Sequence, residues 1–197
     1  MNTDLDPTID DLDHARAQEY ALLATLLMRN PDAAVLERLA LLRGNDSPLG
    51  LAHAALGAAA ASANAETVRR EYFDLFAGLG ENGLMPYASF YLAGSLYGRP
   101  LERLRETLRE LAIEKTSQSE PEDHAAIVCE IMAGLIGGNI AAPAGADREF
   151  FKAHVVPWFR SFFVDLEKSN ATAFYVHVGT LGRVFIDIET EAFSLEG

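Results

Sequence analysis

The chain has 197 residues, 49% of them hydrophobic, which suits one domain with a substantial core and argues against wholesale disorder. Its 16 basic and 29 acidic residues give a net charge of −13, and such an acidic surface repels phosphate and argues against nucleic-acid binding. The same charge would attract a basic partner, although acidity that only aids solubility is the simpler explanation.

The cysteine content and the N-terminus predict where the protein works. Cys129 is the only cysteine, so no intrachain disulfide can form. Several aspartates precede the first basic residue, which is the reverse of an export signal. No apolar run reaches the ~18 residues that a membrane span needs. We therefore expect a soluble, cytoplasmic protein without membrane insertion.

Helix signals recur along the whole chain, and alternating β-branched runs are nearly absent. Asn30–Pro31 and Ser47–Pro48 each read as an N-cap followed by proline at the first helical position. Asn64 predicts another cap, and Ser119 with Glu122 matches a capping box. The predicted helices cover 10–28, 31–42, 48–63, 64–78, 89–97, 100–111, 119–137, 147–168 and 171–193.

These elements predict an all-α fold, a single-domain helical bundle of roughly eight to ten helices that spans residues 1–197. Residues 1–9 are expected to be flexible. The connections fall near 78–86, 112–120 and 138–146, and 112–120 has the character of a hinge. Pro157 is expected to bend its helix or to start a new one.

Aromatic side chains are concentrated between residues 71 and 91. Tyr72, Leu75 and Phe76 would share one stripe of a helix, and Tyr87 and Tyr91 follow a glycine-rich loop. An ordinary core is the plainer interpretation of each single aromatic residue. The tyrosine hydroxyls nevertheless suit a groove wall or an interface, so this segment is a candidate peptide groove.

The segment 120–124 places three carboxylates beside a histidine at a predicted helix start. Acidic residues at this position stabilise a helix through their interaction with its dipole. Glu120 and His124 would share a helix face, but two ligands are one short of a catalytic zinc site. Cys129 is expected to be an inert buried thiol. We therefore predict no catalytic residue and no metal. Asp123 and His124 are expected near the surface, with His124 titrating near neutral pH.

Three motifs occur in order at suitable spacings: Glu71-Tyr72-x-x-Leu75-Phe76, then Pro86-Tyr87-x-Ser89-x-Tyr91, then Glu120-Pro121-x-Asp123-His124. Together they resemble the signature of the TorD/DmsD family of molybdoenzyme maturation chaperones. The resemblance covers roughly residues 66–190, and it continues through Phe150-Phe151-x-x-His154-x-x-Pro157-Trp158.

The resemblance implies a TorD-like cytoplasmic chaperone, which is not an enzyme and needs no cofactor. Its partners would be the catalytic subunit of a molybdenum-dependent oxidoreductase and its twin-arginine leader peptide. The chaperone would assist cofactor insertion, folding and proofreading before twin-arginine export or assembly. Cofactor-biosynthesis proteins are further possible partners, and the chain would be a monomer or a domain-swapped homodimer. The client-binding residues implied are Tyr72, Leu75, Phe76, Pro86, Tyr87, Ser89, Tyr91, Glu120, Pro121, Asp123 and His124.

Two other function classes stay open on the sequence. One is a helical ligand-binding regulator, which would need a closed apolar pocket in place of an open groove. The other is a small metal-dependent hydrolase that uses Glu120, Asp123 and His124. Metal analysis of the purified protein separates the hydrolase from the chaperone.

Overall fold

A computed structural model describes residues 11–76, 83–114, 120–169 and 173–195. Within these ranges the chain forms ten α-helices and one π-helical turn and no strand, which confirms the predicted all-α bundle. No helix among the described residues is long and apolar enough to cross a membrane. The helices are α1 (Asp11–Met28), α2 (Ala33–Leu39), α3 (Pro48–Ser62), α4 (Ala65–Phe76), α5 (Ala88–Ala93), α6 (Arg99–Glu110), α7 (Ala125–Ile136), α8 (Ala146–Phe150), α9 (Phe159–Glu167) and α10 (Tyr175–Leu195).

The two most extensive helix contacts are those of α1 with α7 and of α10 with α9, and α10 also packs against α3, α1 and α4. On α1, the spacing of Tyr20, Leu23 and Leu27 puts all three side chains on the buried face. The contact between α9 and α10 is close because Gly179 has no side chain. A Cβ at Gly179 would overlap the backbone of Glu167.

Two of the predicted helix starts are confirmed. The Ser47 hydroxyl accepts a hydrogen bond from the Gly50 amide at 3.0 Å, and α3 begins at the following proline. The Asn64 side chain accepts from the Glu66 amide at 2.9 Å at the start of α4. In both cases a short polar side chain satisfies an amide that the helix itself leaves unpaired.

Two other predicted starts are wrong. The cap of α2 is Asp32, whose side chain accepts from the Val35 amide, and not Asn30. The predicted capping box fails because α7 begins only at Ala125, after His124, which places Glu122 before the helix. Ser119 itself lies outside the described residues, as do the stretches 1–10 and 77–82 and most of the hinge-like connection 112–120.

The predicted helix over 147–168 is divided, as expected from Pro157. Proline has no amide to donate and its ring clashes with the carbonyl four residues earlier, so a regular helix cannot continue through it. The chain leaves α8 through a π-helical turn, Phe151–Val155, and the Val156 amide donates to the Phe151 carbonyl at 3.0 Å. The Trp158 indole donates to the His154 carbonyl, and α9 then begins at Phe159.

One buried ion pair ties α1 to α10. Glu189 is 2% exposed and accepts two hydrogen bonds from the Arg16 guanidinium, at 2.8 and 2.9 Å. The Tyr20 hydroxyl donates to the same carboxylate at 3.2 Å. Two parallel bonds to one guanidinium are the geometry in which such a pair is strongest. Removal of one partner would leave the other charge buried without its main counterion.

We therefore predict that Glu189→Ala lowers the free energy of unfolding by about 3 kcal/mol, because Arg16 then stays partly buried and less well compensated. Urea denaturation of the purified variant measures this loss. Glu191→Ala is the matched control, since Glu191 lies on the same helix but is exposed. An equal loss in both variants would contradict the role of the buried pair.

Candidate peptide-binding site

Two of the three sequence motifs meet in the structure through backbone pairing. Residues Tyr87 and His124 form an isolated antiparallel bridge. The Ala88 amide donates to the Asp123 carbonyl at 3.0 Å, and the Ala125 amide donates to the Pro86 carbonyl at 2.7 Å. The pairing joins the start of α5 to the start of α7. We call residues 86–89 and 123–125 together the brace.

Asp123 lies at the centre of the brace and is fully buried. Its Oδ2 accepts a hydrogen bond from the Ser89 amide at 2.8 Å, so it caps α5, whose own N-cap residue Tyr87 supplies no side-chain acceptor. The Ser89 hydroxyl in turn accepts from the Tyr97 amide at 3.1 Å. The expectation that Asp123 lies near the surface is wrong, because its carboxylate is used inside the fold.

His124 is also buried, 5% exposed, and it is the N-cap of α7. Its Nδ1 accepts a hydrogen bond from the Ala126 amide at 3.1 Å, and its ring meets that of Tyr87 edge-on at 5.1 Å. Burial disfavours the charged imidazolium and lowers the pKa of His124 to about 4. The expectation that His124 is near the surface and titrates near neutral pH is therefore wrong.

Tyr87 of the brace forms a polar pair with Glu120, and both side chains are only partly buried. The Tyr87 hydroxyl donates to Glu120 Oε2 at 2.7 Å. Burial, followed by this hydrogen bond, raises the pKa of Tyr87. Burial, followed by the charge of Glu120, also raises the pKa of Tyr72. Glu120 thus places a partly exposed carboxylate beside the Tyr87 side chain.

The aromatic residues of α4 pack against the start of α10. The ring centroids of Tyr72 and Phe76 are 5.1 Å apart, and both rings contact Tyr175, at 5.9 and 5.6 Å. The Tyr72 hydroxyl donates to the Met28 carbonyl at 2.8 Å. Phe73, which contacts Tyr72 at 5.9 Å, is 46% exposed. This end of α4 therefore presents aromatic surface to solvent.

The residues just before the brace are hydrogen-bonded to α4 and to each other. The Leu84 amide donates to the Leu75 carbonyl at 2.7 Å, and the Tyr87 amide donates to the Met85 carbonyl at 2.8 Å. Leu75 lies on α4, so the first of these bonds holds the segment before the brace beside that helix. We call the partly exposed residues Tyr72, Phe73, Phe76, Tyr87 and Glu120 the aromatic–acidic face.

The eleven residues implied by the family resemblance divide into two groups by burial. Leu75, Pro86, Ser89, Asp123 and His124 are buried. Tyr72, Phe76, Tyr87, Tyr91, Glu120 and Pro121 are partly exposed. Tyr91 contacts a different part of the bundle, since its hydroxyl donates to Asp165 at 3.0 Å and its ring packs on Trp158. Of the others, all but Leu75 and Pro121 belong to the brace or the aromatic–acidic face.

Comparison with known families identifies the chain. The model of the nitrate reductase delta subunit family matches residues 42–164, which is more than half of the sequence. The chain belongs to this family. The predicted resemblance to the TorD/DmsD chaperones is thereby confirmed.

The chain is also similar to several proteins that are named TorD chaperones. The TorD of Shewanella sp. (strain ANA-3) is 25% identical over 198 residues, which cover 89% of this chain and 92% of the relative. The TorD of Vibrio atlanticus (strain LGP32) is 24% identical over 132 residues, and the match spans 61% of each protein. The TorD of Vibrio vulnificus (strain CMCP6) is 35% identical over 69 residues, or 32% of its length.

A solved structure shows the same fold as this family member. It is the crystal structure of a candidate redox enzyme maturation protein from Archaeoglobus fulgidus, with a TM-score of 0.56. The match covers 89% of this chain and 93% of that chain at 20% sequence identity. The likeness at this identity concerns the fold, and it confirms the TorD-like architecture.

Glu71 received no role in the sequence analysis, but the structure shows that this residue joins α4 to the start of α10. Glu71 is 8% exposed, and its carboxylate accepts hydrogen bonds from the amides of Ala173 and Phe174 at 3.1 and 3.0 Å. It therefore satisfies free amides just before α10 and holds α4 against Tyr175. The signal was available, because Glu71 lies on the same helix face as buried Val68 and Leu75. An acidic residue in an apolar stripe requires a partner.

The metal-dependent alternative receives no support from the geometry of the site. Among residues 11–76, 83–114, 120–169 and 173–195, no group of three His, Cys, Asp or Glu side chains could hold a metal ion. Asp123 Oδ2 and His124 Nδ1 instead accept the amide hydrogen bonds that cap α5 and α7. Cys129 is fully buried, and burial raises its pKa, which opposes formation of a reactive thiolate.

The burial of His124 predicts an acid-sensitive fold. Because its folded pKa of about 4 lies below the ordinary 6.5, the unfolded state binds more protons between these values, and stability falls as the pH is lowered through this window. Asparagine at this position keeps an acceptor for the Ala126 amide and does not titrate. The free energy of unfolding of the wild type should therefore fall between about pH 7 and about pH 4. We predict that the corresponding fall in His124→Asn is smaller by roughly 2–3 kcal/mol.

Urea denaturation at both pH values measures this difference. His154, whose pKa burial also lowers to about 4, leaves some acid sensitivity in the variant. The exposed His14→Asn on α1 is the matched control and should respond to pH as the wild type does. An identical pH response of His124→Asn and the wild type would contradict the assignment.

Proposed function

We propose that the protein is a cytoplasmic maturation chaperone that binds the leader peptide or the apo-form of a molybdenum-dependent oxidoreductase on its aromatic–acidic face. The observation that carries this proposal is the partly exposed Glu120 carboxylate, whose Oε2 lies 2.7 Å from the Tyr87 hydroxyl. A twin-arginine leader offers guanidinium groups followed by an apolar run. A carboxylate beside aromatic rings matches both chemistries.

The aromatic part of the face is suited to the apolar part of a peptide. Phe73 is 46% exposed and Tyr72 and Phe76 are half-buried, so a peptide could cover further apolar area without unfolding the helix. Tyr72 and Tyr87 each combine an aromatic ring with a hydroxyl that is already hydrogen-bonded, to Met28 and Glu120. Rigid aromatic side chains of this kind are common anchors at interfaces.

The names of the relatives support a chaperone and not an enzyme. The alignment with the Vibrio atlanticus relative spans 61% of that protein, so its role is carried over to this chain as part of the proposal. Binding of the client would precede insertion of the molybdenum cofactor, folding and proofreading, and then export by the twin-arginine route or assembly. Proteins of cofactor biosynthesis are the expected further partners.

The oligomeric state is part of the same proposal. We expect a monomer or a homodimer that exchanges helices across residues 112–120. The brace pairs residues on both sides of this connection, since α5 precedes it and α7 follows it. In an exchanged dimer the brace would form between protomers with the same hydrogen bonds. The aromatic–acidic face would then include residues of two chains.

The charge of Glu120 gives the most direct test of peptide binding. We predict that Glu120→Gln weakens binding of a synthetic twin-arginine leader by about threefold to tenfold at low ionic strength, and less at high salt, because a screened charge–charge attraction is lost. Fluorescence anisotropy of the labelled peptide measures the affinity. The same variant should bind a leader with both arginines replaced by glutamine as the wild type does.

Two controls distinguish a specific effect of the aromatic–acidic face on peptide binding from effects of the protein's net charge and of its stability. Glu110→Gln removes an exposed carboxylate of α6 and should leave both affinities unchanged. Phe76→Ala should weaken the binding of both peptides. Its denaturation curve shows whether the variant is still folded. Equal weakening by Glu110→Gln and Glu120→Gln would contradict a specific site and leave only the net charge of the protein.

A further inference from the structure

An uncharged segment follows the brace along α5 and through the turn after it. No charged residue occurs between Glu81 and Arg99, although the protein has a net charge of −13. Four large apolar or aromatic side chains of this segment are exposed: Phe90 by 40%, Leu92 by 41%, Leu96 by 38% and Tyr97 by 58%. We call these four residues the neutral patch. A group of exposed apolar side chains in one segment is typical of a surface that meets a partner.

Tyr97 is held in a backbone conformation that a tyrosine disfavours. Its φ is +69°, in the left-handed region, where a residue with a Cβ atom is strained. Glycine adopts this region readily, and it does so twice in the same turn, at Gly94 and Gly98. The backbone therefore favours glycine at position 97 and does not account for a tyrosine. Strained residues of this kind cluster at functional sites.

The turn that carries Tyr97 is attached to the brace. The Tyr97 amide donates to the Ser89 hydroxyl at 3.1 Å, and the Ser89 amide donates to Asp123 at 2.8 Å. Ser89 is two residues from Tyr87, so the Cα atoms of these residues are at most ~7 Å apart. The neutral patch therefore begins next to Tyr87, whose hydroxyl is bonded to Glu120.

The absence of charge selects among the partners that this surface could bind. A second copy of the chain would bring another net charge of −13 and would meet repulsion. A charged peptide segment would lose hydration here without gaining an ion pair, whereas an uncharged apolar segment gains from burial. The apolar run of a leader directly follows its arginines. At ~7–15 residues it is long enough to pass from Glu120 beyond Tyr87.

We propose that the apolar run of the bound leader extends from the aromatic–acidic face onto the neutral patch, and that Tyr97 is a specificity-determining residue for this run. The inference rests on the proposed function, since the arginines must be held at Glu120 for the run to reach Tyr97. The Tyr97 ring is a rigid apolar surface of the kind that anchors interfaces. Phe90, Leu92 and Leu96 add exposed apolar surface in the same segment.

The test measures the affinity of Tyr97→Gly for a labelled twin-arginine leader by fluorescence anisotropy. Glycine removes the ring and adopts a positive φ without strain, so the melting temperature should equal or exceed that of the wild type. The affinity for the intact leader should fall at least about fivefold, and equally at low and high salt, because no charge is lost. A leader with its arginines intact and serines in place of the apolar run should bind both proteins equally.

Two further variants show whether the effect belongs to the Tyr97 ring. Tyr97→Phe keeps the ring and should bind both leaders as the wild type does. Leu41→Gly removes an apolar side chain that is 72% exposed in the turn after α2, and it should leave both affinities unchanged. An equal loss of affinity in Leu41→Gly and Tyr97→Gly would contradict a specific contact.

The outcomes distinguish this inference from the proposed function. If Tyr97→Gly binds the intact leader as the wild type does while Glu120→Gln binds it more weakly, the inference is overturned and the proposed function stands. If Tyr97→Gly changes the molecular mass in solution and leaves the leader affinity unchanged, the neutral patch belongs to a second copy, and the inference is likewise overturned. If the wild type shows no leader binding that depends on Glu120, the proposed function fails and the inference fails with it.

Discussion

The hydrogen bond from the Ser89 amide to the buried Asp123 carboxylate is the interaction on which the candidate site depends. It caps α5 with a residue that lies 34 positions further along the chain. The adjoining backbone bonds fix Tyr87 against His124, and Tyr87 in turn holds Glu120. A buried carboxylate is costly unless it is hydrogen-bonded, so this contact resists local rearrangement. The brace thus determines where the partly exposed groups stand.

The acidic residues of the three motifs therefore fall into two groups, those that support the fold and one that a partner can contact. Glu71 and Asp123 are buried acids that satisfy backbone amides of other segments, at the starts of α10 and α5. Glu120, by contrast, stays partly exposed, and its carboxylate lies 2.7 Å from the Tyr87 hydroxyl. A basic leader can reach Glu120 without opening the bundle, whereas Asp123 would first have to leave its amide partner. The proposed function rests on this difference in access.

Local sequence patterns predicted the helices well, because caps and apolar spacing act within a few residues. Ser47 and Asn64 cap the helices that follow them, and the helix is interrupted near Pro157, as predicted. The burial of Asp123 and His124 could not be predicted in this way, since it depends on pairing with residues 86–89 across a long connection. The capping-box prediction at Ser119 and Glu122 failed for the same reason: the competing start at His124 is set by the brace. Glu71 was recognisable as an anomaly, but its partner at the start of α10 was not.

The role of Asp123 is tested most directly by the affinity of Asp123→Asn for the leader peptide, measured at low and at high salt. The free energy of unfolding of the same variant is measured in parallel. Asparagine removes the charge and keeps an oxygen for the Ser89 amide. If Asp123 only supports the face, the affinity of the folded protein and its salt dependence stay at the wild-type values, while Asp123→Ala loses about 1–3 kcal/mol of stability. A salt-dependent loss of affinity in Asp123→Asn, with unchanged stability in both variants, would show that Asp123 binds the leader itself and would contradict the account.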